Sequence, residues 1–336
     1  MNLDIGLMTF DLQAVAGYAR RAEEMGFGAI WSAETRHDPF LPLAVASQTT
    51  TTLELLTSIT VAFSRNPMTL AQVGHDLNAG SKGRFLMGLG TQIAPHITKR
   101  FSMPWSSPAP RMREMISAMH AVWDTWYDGK PLDFRGEFYT HTLMTPYFVP
   151  ENRDYGRPRI MLAAVGPIMT KVAAEVADGV LCHSFTTPKY MHEVTIPQIE
   201  KTLADAGRDR KKFDIVAQLF TVVGDTDEEI AKGMEQIRGQ ISFYGSTPAY
   251  KGVFECHGWY DLQPKLNLLS KEGKWKEMAD LLTDEVVEAF AVVGTAEQVA
   301  ERLVKLYAGK VDRTSFPFTD LDSDRQKALL KTFKSA

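Results

Sequence analysis

Apolar and polar positions along this chain are grouped in blocks. Short runs that are apolar on both faces precede longer stretches with a helical repeat, and the pair recurs from the first residues onward. "LDIGLMTF" (3–10) predicts a strand, followed by a helix from Leu12 to Met25 with Asp11 as its N-cap. "GAIWSAE" (28–34) predicts a second strand, "PFLPLAVASQTTT" a second helix, and the β-branched "LLTSITVAF" (55–63) a third strand. Pro67 opens a helix that stops at Gly80 or Gly83, ahead of a fourth strand in "RFLMGLGTQ" (84–92). Strands buried on both faces and separated by helices indicate a parallel sheet covered with helices.

The rhythm lapses between 93 and 159, where a loop rich in Pro and aromatic residues leads to a long helix from Arg111 to Tyr127 and a hairpin around "DFRGEFYTHTLM". It resumes with a strand at 160–165, a helix at 167–177, a strand at 179–183 and a helix at 189–206. A seventh strand at 213–224 and a helix at 227–240 follow. A second irregular region, 243–283, precedes "EAFAVVG" (288–294), the eighth strand, with Thr295 capping the helix behind it. Eight strand-helix units predict an α/β fold of the (β/α)8 TIM-barrel type, one domain over 1–336. Its insertions come after strand four and after the helix following strand seven. A doubly wound open sheet is the competing arrangement.

Composition narrows the partners more than the fold. With 336 residues, 44% of them hydrophobic, the chain has material for a large core. A formal net charge of -4 leaves no basic surplus for a nucleic-acid backbone. No basic region precedes an apolar leader, and no eighteen apolar residues run together, so a cytoplasmic protein without a membrane span is expected. Cys182 and Cys256 stand alone, without metal-ligand spacing, and no metal is expected.

In such a barrel, chemistry gathers at the C-terminal strand ends, which directs attention to 8–10, 34–38, 61–65, 90–96, 164–169, 182–185 and 221–224. At Gly166 a strand stops and a helix begins at once. Pro167 presets the first turn, and the N–H groups of Ile168, Met169 and Thr170 would face outward as an anion site; a plain tight turn explains the same residues. "SAETRHDPF" crowds Glu34, Arg36, His37 and Asp38 after strand two. His37 titrates near neutrality and could carry a substrate proton with Glu34 or Asp38 orienting it, while the bland alternative is a solvated loop in which Asp38 caps the next helix. Gln92, His96 and His183 are candidate pocket donors. In "SKGR", Gly83 as a helix C-cap and Arg84 as a bottom-face ion-pair residue need no catalytic role.

The stretches "AEEMGFGAIWSAE", "VAFSRNPMTLAQ", "SKGRFLMGLGTQ" and "IMLAAVGPIMTKVAAEVADG" resemble, in order and spacing, the bacterial luciferase-like monooxygenases. The segments "ETRHDPFLPLAVA" and "FRGEFYTHTLMTPYFVP" look most like the branch that uses the deazaflavin coenzyme F420. The resemblance implies a TIM barrel, a homodimer through the helices after strands two and three, and a flavin-like ring in the barrel mouth. It places a strand-three bulge, often with a non-prolyl cis peptide, at Val61, Ala62 and Phe63, and a coenzyme-phosphate loop at Ala163, Ala164, Gly166, Pro167 and Met169. His96 or Gln92 would contact the ring, His37 with Glu34 would handle the substrate proton, and Lys171, Arg100 or Arg111 would meet the coenzyme's anionic tail. Many members have His directly after the acidic residue; this chain has Thr35 there and its His at 37. The implied activity is hydride transfer between F420 and a small organic substrate. A two-component monooxygenase using reduced FMN and a non-catalytic barrel holding a flavin-like ligand are the alternatives. A non-redox barrel enzyme would need a Lys or paired carboxylates at strand ends.

Overall fold

In the computed structural model, which describes residues 1–9, 11–316 and 323–335, eight parallel strands close into a barrel. They are β1 (Asn2–Gly6), β2 (Ala29–Ser32), β3 (Glu54–Thr57), β4 (Phe85–Gly90), β5 (Arg159–Ala164), β6 (Gly179–Cys182), β7 (Asp214–Ala217) and β8 (Arg313–Ser315). Strand β8 lies between β7 and β1, and β3 pairs with β4, so no edge is left open. The doubly wound alternative is thereby excluded. Phe10, in the first strand-end window, lies outside the described residues.

The first half follows its sequence pattern closely. Asp11 accepts the N–H of Gln13 to cap α1 (Leu12–Met25), which ends at Gly26 with φ 88°. Helix α2 (Phe40–Thr49) follows β2, and α3 (Pro67–Gly80) starts with Pro at its first turn beneath an Asn66 cap. Helix α4 (Pro108–Asp128) carries the first insertion. Its Glu114 carboxylate accepts the N–H groups of Glu137, Phe138 and Tyr139, which pins the predicted hairpin of Phe134–Arg135 and Thr140–His141. Helix α5 (Pro167–Val176) follows β5.

The second half departs from expectation in two places. The run 213–224 breaks at Gln218 and Leu219 into β7 and a separate strand, Phe220–Val223. The segment expected as the eighth strand begins as a helix, Asp284–Phe290, and its strand, Ala291–Gly294, pairs in parallel with Phe220–Val223 outside the barrel. The true eighth strand is the short, polar Arg-Thr-Ser at 313–315, whose side chains find partners inside. Arg313 meets Asp4 and Glu54, and Thr314 donates to the Ala217 carbonyl. The second insertion is largely helical (Lys251–Glu255, Leu262–Lys271, Trp275–Asp280) and shares an apolar cluster with Phe220–Val223 and Ala291, centred on Phe185, Phe254 and Phe290.

"SKGR" acts as a brace of a different kind from the one expected. Gly83 has φ 85°, and its N–H bonds the Asn78 carbonyl at the end of α3. Among the described residues Arg84 has no ion-pair partner; it donates to the carbonyls of Ser47, Thr50, Leu53 and Ser81 and locks α2, β3 and α3 together at the base.

Candidate active site

Inward-facing residues fill the barrel in layers. At the N-terminal end the layer is ionic. Arg313 is paired bidentately with Asp4, at 2.9 Å for both bonds, and with Glu54 at 2.5 Å, while Arg159 meets Asp214 at 3.1 Å. Burial works against the Arg313 charge, but the two carboxylates more than offset it and raise its pKa further. The middle layer is apolar: Leu56, Leu86, Met161, Leu181 and Val216.

The upper layer is built from small residues around one large one. Trp31 and Ile59 pack on the middle layer together with Ala163. A Cβ on Gly6 would stand 2.6 Å from the Trp31 ring, and one on Gly90 would stand 2.8 Å from Ile59. A Cβ on Gly88 would run into the Thr57 carbonyl oxygen at 1.7 Å. Gly6 and Gly90 are glycine because large side chains beside them use the space, and Gly88 because the neighbouring strand's backbone does. A cavity of about 500 Å³ opens at the Gly6 and Trp31 side of this layer and runs along α1, where Tyr18, Ala22 and Met25 line it. Gly6, Met8, Trp31, Ser184, Gln218 and Ser315 are in its wall, and Arg21 is the only charged residue among its described lining. The buried Trp31 Nε1–H has no hydrogen-bond partner.

Two residues after β5, Gly166 has extended backbone as the N-cap of α5, which begins at Pro167. The N–H groups of Ile168 and Met169 have no partner within the helix and mark a positive helix end. The Thr170 N–H is not available as expected, since it donates to the Gly166 carbonyl at 3.1 Å. Ala249, from the second insertion, comes within 3.6 Å of where a Gly166 Cβ would be, so this loop is partly roofed.

His183, directly after β6, accepts the Phe185 N–H at Nδ1 over 2.9 Å, which places the proton of its neutral form on Nε2. It packs edge-on against Tyr244 and tilted against Tyr250, both from the second half of the chain. Burial lowers its pKa to about 4, so the ring is neutral at physiological pH.

The other expected site residues divide into three groups. Ala163 and Ala164 lie at the upper layer and the end of β5, with Gly166, Pro167 and Met169 next to them. Val61, Ala62 and Phe63 are fully buried; Phe63 packs on Trp105 and under the Arg111 guanidinium. The non-prolyl cis peptide lies earlier than the resemblance placed it, at Ser58–Ile59. Gln92, with φ 59°, turns its own side chain back onto the Ile93 N–H, and His96 begins an exposed turn at 96–100. Glu34 is held in an ion pair with Arg65 at 2.6 Å, His37 is exposed on the strand-two loop, and Asp38 caps α2 by accepting the Phe40 N–H. None of these residues is in the wall of the large cavity, which belongs to the β6, β7, β8, β1 and β2 side of the mouth. Arg111 is buried against Tyr139 and the Pro104 carbonyl, and Arg100 donates to the Thr35 carbonyl, so neither is held ready for an anionic tail; Lys171 is exposed near Glu175. Sequence reasoning passed over Gly6, Trp31, Gln218 and Ser315. Trp31 read as one more apolar strand residue, and Ser315 sat in a segment that did not read as a strand.

Among the described residues no cluster of three metal-ligating side chains occurs, and no helix is long and apolar enough to cross a membrane. The profile of the family described as luciferase-like monooxygenase matches residues 2–313. An uncharacterized protein of Mycobacterium tuberculosis is 48% identical over 334 residues, covering 99% of this chain and 98% of the relative. A 5,10-methylenetetrahydromethanopterin reductase of Archaeoglobus fulgidus is 29% identical, over 86% of this chain and 84% of its own length. The structure of a coenzyme F420 dependent tetrahydromethanopterin reductase from Methanopyrus kandleri superimposes with a TM-score of 0.77 at 21% identity, covering 99% of this chain and 98% of that one.

Proposed function

Since the chain belongs to the luciferase-like monooxygenase family, we propose that it is an oxidoreductase moving a hydride between coenzyme F420 and a small organic substrate. The observation that carries this reading is the upper layer: Trp31, Ile59 and Ala163, with the glycines Gly6 and Gly90 against them, form a floor without charged side chains, a cavity of about 500 Å³ opens at its Gly6 and Trp31 side, and the positive end of α5 follows β5. A planar ring fits the floor, and a phosphate fits the helix end. An F420-dependent reductase shares the fold, as does an EDTA monooxygenase, so the choice between F420 and FMN falls to the coenzyme titration.

When bound, F420 supplies the carbon that accepts or donates the hydride. The chain's part is to bind and orient. Ala163, Ala164 and Gly166 keep the side chains at the β5 end small, and the Ile168 and Met169 N–H groups would meet a phosphate. Trp31 and Ile59 would lie against the ring, and the buried Trp31 Nε1–H, which has no partner, is a donor in reserve. Gln218 and Ser184 are neutral hydrogen-bonding groups on the cavity side, with His96 and Gln92 across the rim. His37, exposed on the strand-two loop, is the group that would carry the substrate's proton. We read the protein as a homodimer through α2 and α3, on the apolar character of α2 and its exposed Leu41.

Titration of the purified protein with F420 and with reduced FMN tests the coenzyme. Saturable F420 binding with no FMN binding is expected; tight FMN binding without F420 binding would replace the reading with the two-component monooxygenase.

A further inference from the structure

We infer that Glu34 and Arg65 are positioning residues that fix the backbone of 59–61, the segment from which Ile59 enters the floor of the mouth. The inference rests on the reading of that floor as a coenzyme seat.

Glu34 grips this segment twice. Its N–H donates to the Ile59 carbonyl at 3.1 Å, and its Oε2 accepts the Val61 N–H at 2.7 Å. The same oxygen accepts from Arg65 at 2.6 Å. Arg65 closes the loop from the other side. It donates to the Val61 carbonyl at 3.1 Å and to Ser64 Oγ at 3.0 Å, and its second nitrogen reaches the Asp38 carboxylate at 2.9 Å. The Glu34 side chain is 7% exposed and that of Arg65 20%, so these charge-assisted bonds are largely shielded from water. One carboxylate and one guanidinium therefore join the end of β2 to the chain beyond β3, with the Val61 N–H and carbonyl both held.

Ile59 has no slack in which to absorb a shift. It packs on the barrel's middle layer beside Trp31 and Ala163, and Gly90 is tight enough against it that a Cβ would stand 2.8 Å away. Any movement of 60–61 is passed to the floor. A carboxylate oxygen that already accepts two strong donors is suited to holding a backbone; that separates Glu34 from the proton-carrying role its place in the loop suggested.

The test compares the full-length wild type with Glu34→Gln, Arg65→Lys and the double variant, with Arg157→Gln as the control. Arg157 pairs with Asp124 at 2.5 Å, and with Asp128, at the end of α4, away from the mouth. F420 affinity is read by fluorescence quenching, stability by thermal unfolding, and local order by hydrogen exchange at the Val61 amide. Each single variant is expected to weaken F420 binding by about tenfold to a hundredfold. The double variant should cost no more than the worse single one, because the pair acts as a unit. Val61 should exchange faster, and Arg157→Gln should bind within about twofold of wild type. Arg65→Lys keeps the charge but cannot span the four acceptors, so it carries the test if Glu34→Gln fails to fold. Variants that bind F420 within about twofold of wild type while their unfolding temperatures fall would overturn the inference, leaving only a stabilising ion pair. A wild type that binds reduced FMN and not F420 sinks the coenzyme assignment alone, and the same variants are then titrated with FMN. A wild type that binds neither overturns both.

Discussion

The two ends of the barrel interior spend their polar groups in opposite ways. At the N-terminal end, the Arg313 guanidinium is consumed by the Asp4 and Glu54 carboxylates, and Arg159 and Asp214 are paired. At the C-terminal end the inward-facing strand residues Gly6, Trp31, Ile59 and Ala163 carry no charge, and the Trp31 Nε1–H has no partner. A buried charge without a partner is expensive, so an end with no ligand to serve must satisfy everything internally. Space and an unmet donor at the other end are tolerable where a ligand fills them. The difference separates residues that hold the fold from residues we propose to hold a ligand, although all of them are inward-facing positions of one barrel.

The sharpest way to break the comparison is at the ionic end. Arg313→Met leaves Asp4 buried without its counter-charge and should cost about 3–5 kcal/mol in denaturant unfolding. The F420 affinity of the folded fraction should stay near wild type. A large loss of affinity at full stability would show that the ends are not separable.

His183 offers a second break, through pH. Its imidazole would titrate at 6.5 in the unfolded chain and titrates at about 4 in the fold, because burial disfavours the charged ring. The unfolded state thus takes up a proton that the native state refuses. Stability is full above pH 6.5 and falls as the pH drops from 6.5 towards 4, by at most about 3 kcal/mol. His183→Phe keeps a ring against Tyr244 and should flatten that part of the pH–stability curve. An unchanged slope would mean that the native ring titrates normally.

Gly6→Ala probes the upper end with the smallest change. The added methyl meets the Trp31 ring, which must move into the mouth. The expected result is a stability loss of about 1–3 kcal/mol, accompanied by weaker F420 binding. Stability loss with unaltered binding would place the ligand away from Trp31.

Seven of the eight barrel strands were legible because they are apolar runs bounded by turn signals. The eighth was not, since Arg313, Thr314 and Ser315 read as a loop; their partners, Asp4, Glu54 and the Ala217 carbonyl, are distant in sequence. The apolar "AVVG" took its place in the count, and nothing local reveals that it pairs outside the barrel. At the site, Gly166 and its alanines were visible as a break in pattern. The contacts of Glu34 were hidden because its partners, Val61 and Arg65, lie 27 and 31 residues on, while its crowding with His37 suggested proton transfer. Trp31 and Gly6 looked ordinary, as their relation is a contact between neighbouring strands.

The central claim is that the small-residue end of the barrel is the seat of a deazaflavin ring. A crystal structure of the protein soaked with F420 tests it most directly. The ring is expected over Trp31, Ile59 and Ala163, with the phosphate at the N–H groups of Ile168 and Met169; a ring bound elsewhere, with the mouth left unfilled, would contradict it.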